Sequence, residues 1–557
     1  MKILYKIFDY PKVFLLCLGV AIFIPGLGQE LTLGSHEARH ALMSYTIART
    51  GEYAVPYLYG EPYIDKPPLF NCVVAVLFKI SGAKNLAVAR LPSAFFAVVA
   101  MLAIYSLGKR WLTLRAGLFA AMIWATSWMV VRWGRMCRMD MMLAVIILYA
   151  VLLADLSASF HDRRKSGFTW ILACLVVGLG ILAKGPIALF YYFACVVAIW
   201  RARRSEWLPS GFLLAAGLLV AGLPFALWAI VAEYVHPGHM REFFGYQFGL
   251  GLVEHHKSFV TYFYELILRT LPWSLFSVGA ILWTVRRLKS NGYGLAVVPA
   301  VVTLVEVGVM TFVPNKRPHY LLPSLPMWSI LLGGFIDWSA AFRDHVADKI
   351  DPIIEEEMPP WAFERTLLFI LGFATVVSAV SIPFWLAYSH SGRLIGAAVA
   401  LATTMIAGTG FRAVRREEIA VGVWLLFATV LVLTISAYPV FFLGSMEPTT
   451  EIRGVKSISV SLADDRPIAD FGVRDPYLCF GSANEVTFIS DAEKLRKFVD
   501  EVGRCYVVAS KDDPRIPSEL GNNEVKFLGT WQVLKGEVRV MEVSSRKQRL
   551  GESEQTG

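Results

Sequence analysis

"PPLFNCVVAVLFKISG", residues 67–82, sets the parity of every membrane crossing that follows it. It is apolar enough to suggest a membrane crossing, yet it is short, carries Lys79 and follows a proline pair. Around it, apolar runs long enough to cross roughly 30 Å of hydrocarbon recur from residue 12 to residue 443. Between those runs lie basic loops: "GKRWLTLRA", "HDRRKSG", "RARRSE", "RRLK" and "FRAVRREE". All of them fall on one side if the N-terminus is cytoplasmic and residues 67–82 do not cross. If that stretch crossed, every later basic loop would face outward. The spacing therefore predicts a helix lying in, or dipping into, the outer leaflet.

Composition agrees with a membrane chain. Of 557 residues, 56% are hydrophobic, and the mean hydropathy is +0.54, more apolar surface than one soluble core can hide. The expectation is a polytopic α-helical membrane protein with about thirteen transmembrane helices. Its first run, "PKVFLLCLGVAIFIPGLG", reads as a retained anchor, since no small-residue cleavage site follows it. The net charge of +9 comes from Lys and Arg beside the apolar runs, so nucleic acid is not an expected partner; membrane lipids are. Residues 444–557 turn polar and alternate β-rich runs such as "RCYVVAS" with helical ones such as "DAEKLRKFVDEVG", as in a small C-terminal α/β domain. The domain expectation is a transmembrane part at 1–443, with an external loop at 29–90, and a soluble extracytoplasmic domain at 444–557. Five cysteines (17, 72, 137, 174 and 195) read as small apolar filler; Cys479 and Cys505, outside the cytoplasm, could pair.

With this topology the chemically distinctive segments share the outer face: residues 29–90, "GRMCRMD" (134–140), "AKGP" (183–186), loop 233–260 and "VPNKRPHY" (313–320). The first contains His36-Glu37-Ala38-Arg39-His40, the letters of a zinc-protease H-E-x-x-H motif. Ser35 can cap a helix there and Gly51 can end it, stacking both imidazoles on one face. A catalytic zinc needs a third protein ligand, and no zincin, metzincin or site-2-protease pattern supplies one. An interfacial amphipathic helix is the plainer alternative. It leaves unexplained the pair Asp65-Lys66 before Pro67-Pro68, where a stiffened backbone presents a cation suited to phosphate.

These residues, in this order, resemble the bacterial polyprenyl-phosphate-dependent glycosyltransferases related to protein O-mannosyltransferases, of GT-C fold, nearest to the lipid A aminoarabinose transferases. That family reads roughly D-E-x-R-Y, G-D-W-x-x-P, G-x-P-Y-x-D-K-P-P-L, R-x-x-x-x-D, K-G-P and Y-x-L-P. The corresponding pieces here are His36 through His40, Gly51-Glu52-Tyr53, Gly60 through Leu69, Arg135 through Asp140, Lys184-Gly185-Pro186 and Tyr320 through Pro323. The resemblance is strongest to residue 190. Two departures stand out: His36 and His40 replace the family's Asp and Tyr, and "FFGYQFGLGLVEHHKSF" lacks the Arg expected near Gly251.

The resemblance implies transfer of a sugar, with inversion, from an undecaprenyl-type phosphate donor to lipid A, a glycan or a protein at the outer face of a bacterial inner membrane. Three demands follow: stabilise the leaving phosphate, align the attacking oxygen and, for a hydroxyl acceptor, remove its proton. Lys66 is the candidate for the phosphate, with Arg138 and Arg317 assisting. Asp140 and Lys184 are ionisable groups at the ends of apolar spans, where charge needs a partner or a function. Glu37 is the candidate base or metal contact. Arg39, Tyr63, Asp65 and Tyr320 complete the substrate-binding set. A divalent metal held by His36, His40 and His256 is a further expectation. The rivals are a transporter or flippase of a lipid-linked sugar, which would place its charges nearer the midplane, and an intramembrane zinc protease.

Overall fold

The computed structural model describes residues 9–28, 35–203, 209–248, 258–313, 316–346, 360–387, 393–437 and most of 454–545. The chain forms two compact units. The first comprises Met1–Leu27, Ile64–Phe70 and Arg90–Ser445; the second comprises Gly28–Tyr63, Asn71–Ala89 and Met446–Gly557.

The first unit is helical. Among the described residues, eight helices are long and apolar enough to cross a membrane, and a ninth candidate is the bent pair Thr261–Arg269 with Trp273–Asn291. Pro11–Phe23, Leu114–Thr126 and Leu295–Thr311 are shorter apolar helices of the same unit. The described part of each expected span falls on helix, but eight or nine spans by length fall short of the thirteen expected, since helices such as Pro11–Phe23 and Leu114–Thr126 have only 13 residues. Helices with a fully apolar circumference bury one side on neighbours and leave the other to lipid, and Gly211–Val235 does so with only 17% of its apolar window buried. Pro318–Ala340 is the opposite case, at 94% buried, and lies inside the bundle. Small residues set the closest approaches. A Cβ on Gly333 would stand 2.6 Å from the Ala120 nitrogen and 2.8 Å from the Ala116 carbonyl, so Leu325–Val346 can lie against Leu114–Thr126 only with glycine there.

The second unit joins loop segments to the C-terminal domain. Ser35–Thr50 is a helix, ended by Gly51 at φ +76°. The hairpin β1 (Tyr57–Leu58) and β2 (Glu61–Pro62) turns at Tyr59-Gly60, both with positive φ, as a type I′ turn requires. Leu69–Ser81, the helix within residues 67–82, has 13 residues and about 20 Å of rise, the same length as Pro11–Phe23 and Leu114–Thr126. The C-terminal sheet runs β4 (Val486–Ile489), β3 (Ile468–Phe471), β5 (Arg504–Ser510), β7 (Gly536–Ser544), β6 (Glu524–Val533). Its first three strands are parallel and the last two add antiparallel. Helix Ala492–Val502, capped by Asp491, covers one face with Leu495 and Val499. Cys479 and Cys505 do not pair: both are buried free thiols, and Cys479 Sγ lies 3.6 Å from Asp470 Oδ2. Cys505 instead serves the sheet core.

Candidate functional site

In the first unit the sequence sets an acid and a base at complementary helix ends. Asp140 lies in the first turn of Met139–Ser159, where the helix dipole favours a carboxylate, and Lys184 closes Arg163–Lys184, where it favours a cation. Gly185, at φ +104°, then turns the chain sharply enough for Ile187–Arg203 to begin two residues later. Lys184 returns to the start of Met139–Ser159 because that helix and Arg163–Lys184 pack side by side after the reversal at 160–162, and the K-G-P triplet then starts the next helix.

Asp140 is 2% exposed and gathers its neighbours. Lys184 Nζ donates to Asp140 Oδ1. Arg138 Nε stands 3.1 Å from Asp140 Oδ2, a charge contact without hydrogen-bond alignment, and His319 Nε2 stands 3.7 Å from Oδ1. The Lys184 ammonium also lies over the Tyr320 ring, 4.8 Å from its centroid. Tyr191 Oη donates to the Tyr320 carbonyl, and the Arg317 amide donates to Tyr262 Oη at 3.2 Å, which fixes the turn Pro318–Ser324. Lys66 pairs with Asp65 at 2.9 Å and donates to Gln247 Oε1 at 3.5 Å, while Gln247 Nε2 donates to the Asp65 carbonyl. Lys66 is near enough to repel Lys184, and Asp65 and Arg317 both act on Tyr320, so these side chains share one electrostatic neighbourhood.

Four cations, Lys66, Arg138, Lys184 and Arg317, thus face two carboxylates, Asp65 and Asp140. Among the described residues, the buried Nε atoms of Arg138 and Arg317 have no hydrogen-bond partner. Buried unmet donors in a cationic cluster are costly unless an anion takes them. Such an arrangement can hold a phosphate by charge and by directed N–H donors.

Of the residues chosen from sequence, the first unit brings together Asp65, Lys66, Arg138, Asp140, Lys184, Arg317 and Tyr320. Glu37, Arg39, His36, His40 and Tyr63 belong to the second unit. There Glu37 is fully buried and His36 is exposed. His40 Nδ1 lies 3.1 Å from Asn71 Oδ1, its helix turned so that the ring meets an amide. Tyr63 donates its backbone amide to the Pro56 carbonyl at 2.8 Å. Among the described residues no three His, Cys, Asp or Glu side chains are grouped to hold a metal ion; His256 lies outside them. Sequence reasoning missed His319 and Gln247. His319 stood in a segment already singled out, two residues after Arg317, but a single histidine carried no pattern. Gln247 is a neutral amide with no motif around it.

Comparison with known proteins follows the same lines. A family model described as dolichyl-phosphate-mannose-protein mannosyltransferase matches residues 65–229. The undecaprenyl phosphate-alpha-4-amino-4-deoxy-L-arabinose arabinosyl transferase 1 of Sodalis glossinidius is 29% identical over 59% of this chain and 58% of its own length. The corresponding transferase of Erwinia tasmaniensis is 27% identical over 53% of this chain and 54% of its own. The chain spans about half the length of the curated relatives it matches. Among solved structures, ArnT from Cupriavidus metallidurans in the apo state superposes with a TM-score of 0.69 at 16% identity, covering 95% of this chain and 97% of that one. The same protein bound to undecaprenyl phosphate gives 0.68 at 17%, with the same coverage. The chain is therefore an integral membrane protein with the GT-C type fold expected from its sequence, and the resemblance to the aminoarabinose transferases holds.

Proposed function

We propose that this chain is a lipid-phosphate-sugar-dependent glycosyltransferase, taking a sugar from undecaprenyl phosphate and transferring it to lipid A or another cell-envelope acceptor. The observation that carries this reading is the gathering of Lys66, Arg138, Lys184 and Arg317 about two carboxylates, Asp65 and Asp140, with Arg317 Nε buried and without a hydrogen-bond partner among the described residues. The relatives named as arabinosyl transferases and the neighbour bound to undecaprenyl phosphate support the donor class. The transferase part is 1–443, with loop 29–90, and the domain at 444–557 lies outside the cytoplasm, the N-terminus inside, in a bacterial inner membrane.

In this mechanism the bond between the anomeric carbon and the phosphate oxygen breaks while the acceptor oxygen attacks the opposite face. The leaving polyprenyl phosphate gains charge, and Lys66, Arg138 and Arg317 stabilise it more in the transition state than in the ground state. Asp140 acts through the cations it holds, keeping Lys184 and Arg138 aimed without competing for the phosphate. Tyr320, whose ring lies under the Lys184 ammonium, bounds the sugar. Glu37 serves the acceptor side: a lipid A phosphate is already ionised and needs no strong base, whereas a hydroxyl must lose its proton to one. A divalent metal on His36, His40 and His256 is not used in any step.

The experiment is transfer of labelled sugar from polyprenyl-phosphate donors by the purified protein in lipid, with the labelled acceptor identified by mass spectrometry. Donor-dependent labelling supports the reading. Peptide cleavage that disappears in His40→Ala, with no transfer across a broad donor panel, would replace it with the protease.

A further inference from the structure

One buried carboxyl of the membrane unit has no part in the transfer centre. Glu306, on helix Val298–Thr311, is 1% exposed. An ionisable group buried within an apolar span is costly and calls for a partner or a use. Its Oε1 accepts from Cys195 Sγ of Ile187–Arg203 at 3.8 Å. Its Oε2 has no aligned hydrogen bond among the described residues, and neither has the fully buried Ser324 Oγ, yet the two side chains are close enough to interact. Each offers what the other lacks: the hydroxyl a donor, the carboxyl an acceptor.

Ser324 ends the 3₁₀ turn Pro318–Ser324, which carries His319 to Asp140 and Tyr320 to Lys184. That turn holds itself poorly. Pro318 and Pro323 supply no backbone N–H, and a 3₁₀ helix has weaker hydrogen-bond geometry than an α-helix. Its position comes from outside: Tyr262 takes the Arg317 amide at its entry, Tyr191 donates to the Tyr320 carbonyl in its middle, and Glu306 interacts with Ser324 at its exit. Tyr191 also lies within electrostatic reach of Glu306, so the middle and exit supports are neighbours.

We propose that Glu306 is a positioning residue for sugar transfer, a role that rests on the transfer reading of the site. It touches neither donor nor acceptor; through Ser324 it fixes where Tyr320 and His319 stand against Lys184 and Asp140. What position 306 must supply is a hydrogen-bonding side chain of glutamate's length, so glutamine can replace it and leucine cannot.

The test compares the full-length protein in nanodiscs as wild type, Glu306→Gln, Glu306→Leu, Ser324→Ala and the Glu306→Leu, Ser324→Ala double variant, with rates normalised to folded protein. A fluorotyrosine placed at position 320 reports the turn directly by fluorine NMR. Glu306→Leu is expected to lower kcat about tenfold or more while the donor KM changes by less than about threefold, because the sugar-side ring shifts and the phosphate-holding cations stay. Ser324→Ala should show the same split, and the double variant should be no worse than Glu306→Leu alone, as for two groups acting as one. Glu306→Gln should keep kcat within about threefold of wild type and keep the wild-type fluorine resonance, which moves in Glu306→Leu. Multiplicative losses in the double variant, or an unmoved resonance in Glu306→Leu, would overturn the proposal. A resonance that moves with leucine and not with glutamine, in a protein whose wild type transfers no sugar, would uphold the hold of Glu306 on the turn and overturn the transfer reading alone.

Discussion

Lys184 Nζ donates to Asp140 Oδ1 across 44 residues of sequence, each at the helix end whose dipole suits its charge. Both groups are almost wholly buried, so removing Asp140 leaves Lys184 and Arg138 without their shared carboxylate. Asp140→Asn is expected to cost about 3–5 kcal/mol of stability, read as a lowered melting temperature in detergent or nanodiscs. An Asp140→Leu, Lys184→Met double variant should recover most of that loss yet transfer no sugar. Recovery of transfer in the double variant would show that the pair is structural alone.

Lys66 reaches its position through Asp65 and Gln247. Lys66→Ala is expected to lower kcat by about 10²–10³, the range for removing one directed charge-stabilising donor. Gln247→Ala removes only the brace, so the donor KM should rise by about tenfold with a smaller change in kcat, and Gln247→Glu should lower affinity further by pairing with Lys66. Steady-state kinetics at varied donor concentration separate the two.

Lys84, in the second unit, donates to the Cys479 carbonyl at 3.3 Å and sits 4.7 Å over the Tyr45 ring. Burial lowers its pKa to about 8. Between pH 8 and the ordinary lysine value near 10.4, the unfolded chain holds this proton and the folded one does not. Stability attributable to Lys84 therefore rises with pH through that window and is lowest below it. The difference in melting temperature between wild type and Lys84→Met is expected to move in favour of wild type from pH 8 to pH 10. A difference that stays flat with pH would contradict the burial argument.

Gly333 is the contact point of two membrane helices. Gly333→Leu would drive a side chain into the backbone of Ala116 and Ala120, and the overpacking should cost about 1–3 kcal/mol or more. Gly308, with open space around its Cβ direction, is the control: Gly308→Ala should melt like wild type or slightly above it. Equal losses at the two positions would mean that helix packing there is not set by close approach.

Much of this was legible in sequence because membranes impose a simple grammar. Hydropathy located the helices, and the spacing of basic loops was the sole ground for leaving Leu69–Ser81 out of the span count, since its 13 residues equal those of Pro11–Phe23. Asp140, Lys184 and Arg138 were legible because a charge at the end of an apolar span demands a partner. Arg138 was legible as a partner of Asp140 from its place two residues before it, but the other partners were not: Lys184 meets Asp140 because Met139–Ser159 and Arg163–Lys184 pack side by side, and His319 arrives from a turn far along the sequence. His36 through His40 misled in a different way. The four-residue spacing did form a helix, but spacing fixes a shared face and says nothing of what that face meets; for His40 it is Asn71. Gln247 left no sequence trace, since a neutral amide is ordinary on a short helix such as His239–Phe248.

The most direct measurement is displacement of donor by product: transfer of labelled sugar from an undecaprenyl-phosphate donor by the protein in lipid, with undecaprenyl phosphate added as competitor, for wild type and Arg138→Ala. Wild type should transfer sugar and be inhibited competitively by undecaprenyl phosphate, and Arg138→Ala should bind the competitor at least about tenfold more weakly, in line with loss of a charge-assisted hydrogen bond. Transfer that undecaprenyl phosphate leaves untouched, or equal inhibition of the two proteins, would contradict the assignment of this cationic cluster to the leaving phosphate.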